Sequence, residues 1–514
     1  MKKNILFCSL LLSAAMTFTS CSSDEPANAE CDIEQAWVHM EDPGRIFYHK
    51  ADTTADILPS YDSNDIQFPL VRYNANIGMV PFYVVITPGA KIYQLVNGQE
   101  VAFASGSPVD FSADQEQRFR VRSEDGAYMR EYTIRIKHDK EPSISTQTCE
   151  LGTAAFTAVP LSGNQFSADQ VMDIAPYGEV LVHIEGTYDG HTTTFTLTFS
   201  LDDEHSVELN YAEEELRGTW NGQEIIPQTG VVQVSEAGGL LNITLPELTV
   251  QTATLIHFNF EDFSFDQTNT FHVWSETDPT VNDPALWSTG NPGFQLSMSS
   301  ATWDMYPSVS DEDGVDGGRC VKLTTRSTGS FGAMVNMRIA AGNLFTGSFD
   351  VGNALKEALA ATLMGKSFAH KPLMMRGYYK FVPGSTKQDK AGKPIEGETD
   401  VCDFYCVVYK NTDADGNKVQ LDGNILDTDK TKNPHVDNIV GIARVKSADI
   451  ITGAEAWNYF ELPVAYSQEL EQDDVLGRQY SVAVVFSSSI DGAYFRGAVG
   501  STLWIDNVTL MCEY

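Results

Sequence analysis

Short runs of strict two-residue alternation, each closed by turn residues, recur along the whole chain and constrain its fold more than any other feature. Arg118-Phe119-Arg120-Val121-Arg122 alternates charged and apolar residues and stops at Ser123-Glu124-Asp125-Gly126. Tyr132-Thr133-Ile134-Arg135-Ile136-Lys137 then resumes the pattern. An extended chain puts successive side chains on opposite faces, so such a run predicts a strand with one face on a core and one in water. An Asp-Gly turn between two of them predicts an antiparallel hairpin. Phe82-Tyr83-Val84-Val85-Ile86, ending at Thr87-Pro88-Gly89, reads the same way.

This patterning predicts an all-β protein in several units. Residues 33–140 have the size and turn spacing of an Ig-like β-sandwich. Residues 141–256 form a second small β module. There Val180-Leu181-Val182-His183-Ile184 and Thr192-Thr193-Thr194-Phe195-Thr196-Leu197-Thr198-Phe199 flank Tyr188-Asp189-Gly190-His191. Phe195, Leu197 and Phe199 face inward, and the threonines face water. Gly238-Gly239 splits a further pair of strands, and the topology of this module is left open.

Residues 257–514 make the largest unit. Tyr480-Ser481-Val482-Ala483-Val484-Val485-Phe486 is apolar on both faces and predicts a central strand. One segment, 353–364, has helical spacing: Leu355, Ala358, Leu359 and Leu363 share a stripe, and Asn353 could cap it.

The N-terminus predicts export. Met1-Lys2-Lys3-Asn4 is basic, and residues 5–18 are apolar but too short to span a bilayer. Thr17-Phe18-Thr19-Ser20-Cys21 resembles a bacterial lipobox, which makes 1–20 a lipoprotein signal peptide and Cys21 the lipidated residue. Residues 21–32 are then a linker. Ser22-Ser23-Asp24-Glu25 resembles the signal that sends Bacteroidetes lipoproteins to the cell surface. The expected place is the outer membrane, held by lipid alone, since several acyl chains on one Cys anchor stably.

Charge narrows the partners. Lys and Arg number 34 against 70 Asp and Glu, a formal net charge of −36. A chain this acidic repels phosphate backbones and anionic lipid, so nucleic acid is not an expected partner. Six cysteines remain after Cys8 and Cys21: Cys31, Cys149, Cys320, Cys402, Cys406 and Cys512. None has zinc spacing, and buried free thiols are the expectation.

Several strings in the last unit resemble the putative carbohydrate metabolism domain of Bacteroidetes lipoproteins. They are Phe260-Glu261-Asp262-Phe263, Trp287-Ser288-Thr289-Gly290-Asn291, Ala340-Ala341-Gly342-Asn343-Leu344-Phe345-Thr346-Gly347 and Gly377-Tyr378-Tyr379-Lys380. Ser487-Ser488-Ser489, Gly497-Ala498-Val499-Gly500-Ser501-Thr502-Leu503 and Ile505-Asp506-Asn507-Val508 complete the series in order. The resemblance implies a C-terminal jelly-roll β-sandwich over 257–514, preceded by an Ig-like module, with a role in carbohydrate binding or processing at the cell surface. The module at 141–256 departs from that two-domain plan.

The resemblance also implies a structural calcium held by Glu261 and Asp506, at the first and last strands of the jelly roll. Calcium wants several hard oxygens, which two carboxylates and backbone carbonyls supply. The alternative is two exposed acids at strand ends. For a glycan or oligosaccharide, a site needs aromatic faces and planar polar groups. Trp287 with Asn291, Tyr379 with Lys380, and the acids Asp400 and Asp403 are the candidates, against core packing as the alternative for each aromatic.

Other motifs carry less. Gly365-Lys366-Ser367 follows the predicted helix, whereas a phosphate-binding loop needs a helix after its turn. Asp413-Ala414-Asp415-Gly416-Asn417 lacks the calcium-loop ligands further on and reads as a hairpin tip. No GxSxG or HExxH motif occurs. The function expected is a surface-anchored lipoprotein that binds carbohydrate. The alternatives are a surface glycoside hydrolase with an acid pair that sequence cannot place, or an adhesin-like structural protein.

Overall fold

Each alternating run singled out above is a strand. In this computed structural model the described residues are 27–514 without 42, 56, 58–63, 142–145, 203–204, 231 and 276–284. Cys21 and its signal segment lie outside them. The protein is all-β, with only short helices among the described residues. Two compact units divide the chain. The first takes the described parts of Met1–Met40, Thr53–Pro69 and Ile77–Lys137, and the second takes Glu41–Asp52, Leu70–Asn76 and His138–Tyr514.

The first unit has two sheets. Val80–Ile86 pairs with Ile33–Val38 and Pro108–Val109. The expected hairpin forms from Gln117–Arg122 and Met129–Arg135, antiparallel and in unbroken register. Lys91–Val96 extends it on one side, and Asp65–Gln67 joins the other edge in parallel. Phe82 sits among Phe68, Phe103, Phe111 and Phe119, with ring centroids 5.3–6.4 Å away. The opposite face carries charge: Arg120 lies between Glu100 and Glu131, as alternation requires.

In the second unit, residues 148–251 build one antiparallel sheet around a single core. Five consecutive strands from Gln165–Ala175 to Glu215–Trp220 meander, each paired with the next. A bridge from Ile225 to Thr252 returns the end of the meander to the segment after Leu248–Gln251, so the sheet curls over its own apolar face. Phe195, Leu197 and Phe199 are buried in that core. Gly238 and Gly239, both at positive φ, turn Gln233–Ala237 back onto Leu240–Leu245.

Residues 254–512 form the sandwich expected of a jelly roll. Its outer sheet is centred on the last strand, Thr502–Cys512. That strand pairs with Cys320–Thr324 and with Thr254–Phe258 along one edge and with Pro372–Val382 along the other. Gly453–Pro463 continues the sheet beyond Pro372–Val382. First and last strands are thus neighbours. The inner sheet runs through Asn343–Phe349, Tyr480–Ser487, Asp403–Lys410 and Ile439–Arg444. Between the sheets lie Phe258, Trp274, Val321, Met375, Phe404, Phe460, Phe486 and Ile505.

Tyr480–Ser487 is central and buried on both faces, as its composition predicts. Its second face meets Phe345, Tyr405, Val407, Val419 and Leu421, from its own sheet and from loops folded back over it. The short stretch Leu70–Asn76 belongs to this unit for a clear reason: Arg72 is fully buried there and donates to Gly44 O and Gly477 O at 3.1 and 2.6 Å.

The helix expected over 353–364 does not form. Single turns close from Lys356 and Glu357 N–H to Asn353 O, and from Ala361 to Glu357 O. The chain then becomes the strand Thr362–Met364, paired with Asn343–Phe349. A short isolated helix is marginal, and the ladder offered by the neighbouring strand overrides its spacing. Gly365 follows at φ +96°, and an added Cβ would lie 2.6 Å from the Tyr409 ring. It serves a turn between strands, not a phosphate loop. Asp413 caps its own turn, accepting from Asp415 N and Asn417 N at 2.9 and 2.8 Å, the hairpin-tip reading.

Candidate functional site

The second face of the inner sheet is not wholly covered. Between the loops over it lies a cleft of about 500 Å³. Strand register builds its floor in two rows. Asn343, Ser487 and Asp403 stand opposite one another across three strands. Two residues along, Phe345, Val485, Tyr405 and Arg444 form a second row across four. The period of two puts both rows on one face. Loops containing Ile425, Asp427, Asp491 and Tyr494 wall one side, and Phe294, Phe331 and Leu355 contribute from others.

Asp403 and Arg444 are diagonal neighbours, within reach for a long side chain. Arg444 Nε donates to Asp403 Oδ1 at 3.0 Å and Nη2 to Oδ2 at 2.8 Å. Burial pushes the Asp403 carboxyl above its usual range; Arg444 opposes the rise and nearby Asp491 adds to it. Asp491 is itself held by the buried Lys387, at 3.0 Å, which also contacts Glu398 at 3.1 Å. Two carboxylates therefore line the cleft, Asp403 on its floor and Asp491 on its wall, each held by a cation. Burial also raises the Tyr405 hydroxyl, and Asp403 beside it adds to the rise.

The aromatic offering is on the walls. Tyr494 and Phe331 are each 39% exposed, enough to present a ring face. Chemically, the cleft combines stacking surfaces with hydroxyl, amide, carboxylate and guanidinium groups.

Of the residues expected to bind sugar, only Asp403 lies in this cleft. Trp287 is 4% exposed and packs edge-on against Phe258 and Phe260, at 5.1 and 5.4 Å between centroids, so it has no face for a ligand. Asn291 is buried one step from the cleft and ties down a strand: its Nδ2 donates to Ser308 O at 2.8 Å, and Ser308 N donates back to Oδ1 at 3.1 Å. Tyr379 packs on Phe404 and Phe460, its hydroxyl accepting from Ile451 N at 2.9 Å. Lys380 is buried over the Trp457 ring and paired with Asp313, so it does not await an acidic sugar. Asp400 accepts from Ser489 Oγ, Ala498 N and Ser501 Oγ at 2.6–2.7 Å, which fixes the loop that brings Ser489 to the cleft.

Arg444, Asp491, Phe331 and Tyr494 were not visible as site residues. Their signal was adjacency: Gly290, Asn343, Phe345, Ser487 and Ser489, all from the strings quoted above, line the cleft.

Glu261 and Asp506 are electrostatic neighbours. Each also holds the loop 312–319: Glu261 Oε1 accepts from Arg319 N at 2.9 Å and Asp506 Oδ2 from Val315 N at 2.7 Å. Burial, with Glu261 and Asp316 nearby, pushes the Asp506 carboxyl up to about 6. Among the described residues no three His, Cys, Asp or Glu side chains gather as a metal cluster. A cation here would need backbone oxygens of that loop to complete its shell.

Residues 259–511 match the model of the putative carbohydrate metabolism domain. This chain belongs to that family. Its C-terminal half is a carbohydrate-metabolism domain, carried on the sandwich that holds the cleft. A crystal structure of a putative glycoside hydrolase from Bacteroides thetaiotaomicron is 25% identical, over 95% of this chain and 99% of that one, with a TM-score of 0.42. Another, from Bacteroides vulgatus, is 35% identical over 50% of this chain and 97% of that one, with a TM-score of 0.45. No curated protein matches the chain.

Proposed function

We propose that this protein is a cell-surface lipoprotein, anchored through Cys21, that binds a glycan in the cleft above the inner sheet. One observation carries the reading: half-exposed Tyr494 and Phe331 flank a floor where the Asp403–Arg444 pair and Asn343 present fixed polar groups. Aromatic faces stack on the C–H surface of a sugar, while amide and ionised groups bond its hydroxyls. A glycan array on the full chain should give a hit whose affinity falls about tenfold in Tyr494→Ala. An array without hits, or a hit indifferent to Tyr494, overturns the placement.

A second reading rests on a separate observation, the two carboxylates Asp403 and Asp491 in one cleft, near enough to raise the Asp403 carboxyl. A glycosidase uses such a pair, one as acid and the other as base or nucleophile. Release of reducing ends from a bound glycan, abolished by Asp491→Asn with binding retained, would make the protein a hydrolase. Binding without release would leave it a glycan receptor.

Calcium is proposed as a structural ion between Glu261 and Asp506. The support is their convergence on one loop from the two ends of the sandwich.

A further inference from the structure

We propose that a second saccharide site lies on the outer sheet, where the curled sheet of residues 148–251 meets the sandwich. A groove of about 480 Å³ is lined there by Arg376, Gly377, Tyr378, Tyr459, Asn507 and Thr509. It is remote in the fold from the cleft, on the face of the sandwich that points away from the core.

The groove is assembled by strand pairing. Tyr378 stands directly opposite Tyr459 across neighbouring strands. Their rings lie 5.4 Å apart and are tilted by 59°, so they make a notch. Tyr459 is 52% exposed. On the other side of Pro372–Val382 the register slips. Arg376 faces Thr509 but Tyr378 faces Asp506, so Gly377 alone spans Asn507 and Val508. This is a β-bulge, and it re-aims a side chain out of the ladder. Asn507, at φ +48°, is the residue it displaces toward the groove. The Asn507 backbone N–H is held by Asp506 Oδ1 at 2.8 Å, and the Asn507 side chain lines the groove beside Tyr378.

The polar groups at the rim are already set. Arg376 meets Glu224 through both terminal nitrogens, at 2.8 and 2.7 Å, leaving further N–H donors on the guanidinium. Arg217 meets Glu461 in the same way, at 3.0 and 2.8 Å. Both cations are neutralised, and Glu215 adds a further carboxylate to Arg217. The groove therefore offers no spare positive charge to a uronic acid, sulfate or phosphate. Two ring faces in a notch, a displaced amide and a guanidinium with fixed donors suit a neutral sugar. A peptide would want an apolar pocket for an anchoring side chain, which these six residues do not form.

Calorimetric titration of the full chain with cellohexaose, xylohexaose and mannohexaose tests the site. At least one should bind and lose about tenfold in affinity in Tyr459→Ala and in Asn507→Gly. Glycine suits the left-handed backbone at 507, so that variant keeps its fold if Tyr459→Ala does not. Tyr459→Phe, which keeps the ring, should retain most of the binding. If no oligosaccharide responds to both Tyr459→Ala and Asn507→Gly, whether it binds elsewhere or not at all, the second site is overturned.

Discussion

Arg444 grips both carboxylate oxygens of Asp403 on the cleft floor, reaching diagonally from the row of Phe345, Val485 and Tyr405 to the row two residues along. Asp403 is buried, while Arg444 reaches toward the opening. Removing the cation leaves a buried carboxyl without its partner. Arg444→Ala should therefore cost about 3 kcal/mol of stability by urea denaturation, the low end for a buried pair because Arg444 is partly solvated. A cost under about 0.5 kcal/mol would mark it as an ordinary surface pair.

Trp287 and Tyr494 should separate cleanly. Trp287→Ala empties a core position and should cost about 3–5 kcal/mol of stability. Tyr494→Ala, at a partly exposed wall, should stay within about 0.5 kcal/mol of the parent in stability. Glycan affinity should move in the opposite order. A Trp287→Ala protein that is fully stable but has lost its glycan would return Trp287 to the binding site.

Calcium should raise the melting temperature at pH 7.5, because an ion bound only by the native state stabilises it by mass action. EDTA should reverse the rise, and Glu261→Ala should abolish it. An identical melt with EDTA and with calcium would show that Glu261 and Asp506 clamp the loop 312–319 without a metal.

His272 should make the sandwich acid-sensitive. It is buried, and its Nδ1 accepts from Ser310 N at 2.9 Å, so the fold holds that nitrogen unprotonated. Burial, and then Arg319, lower its pKa. A lowered folded-state pKa means that the unfolded chain takes up the proton first, as pH falls below about 6.5. This group's contribution is thus intact above that pH and is lost on acidification. His272→Gln, which can still accept from Ser310, should lose less stability between pH 7.5 and 5.5 than the parent. An imidazole titrating at or above 6.5 by NMR would contradict this.

Cys21→Ala should release the protein from the membrane fraction. The motive is the lipobox-like run Thr17-Phe18-Thr19-Ser20 before it. Persistent membrane association of the variant would refute the lipid anchor.

What the sequence determined by itself is whatever depends on local periodicity. Alternation named the strands, Asp125-Gly126 and Gly238-Gly239 marked their turns, and the two-sided apolar run 480–486 announced a central strand. The reason is that side-chain direction in a strand repeats every two residues whatever the rest of the molecule does. The ordered strings likewise pointed to the family. Tertiary structure alone decided the rest. Trp287 and Tyr379 carry the same chemistry as Tyr494 and Phe331, but which aromatic meets water depends on what packs over it. Arg444 reaches Asp403 only because two strands, 41 residues apart at that point, pair in one register. The helical spacing at 353–364 yielded because a neighbouring strand offered a ladder, and no property of that segment records the offer.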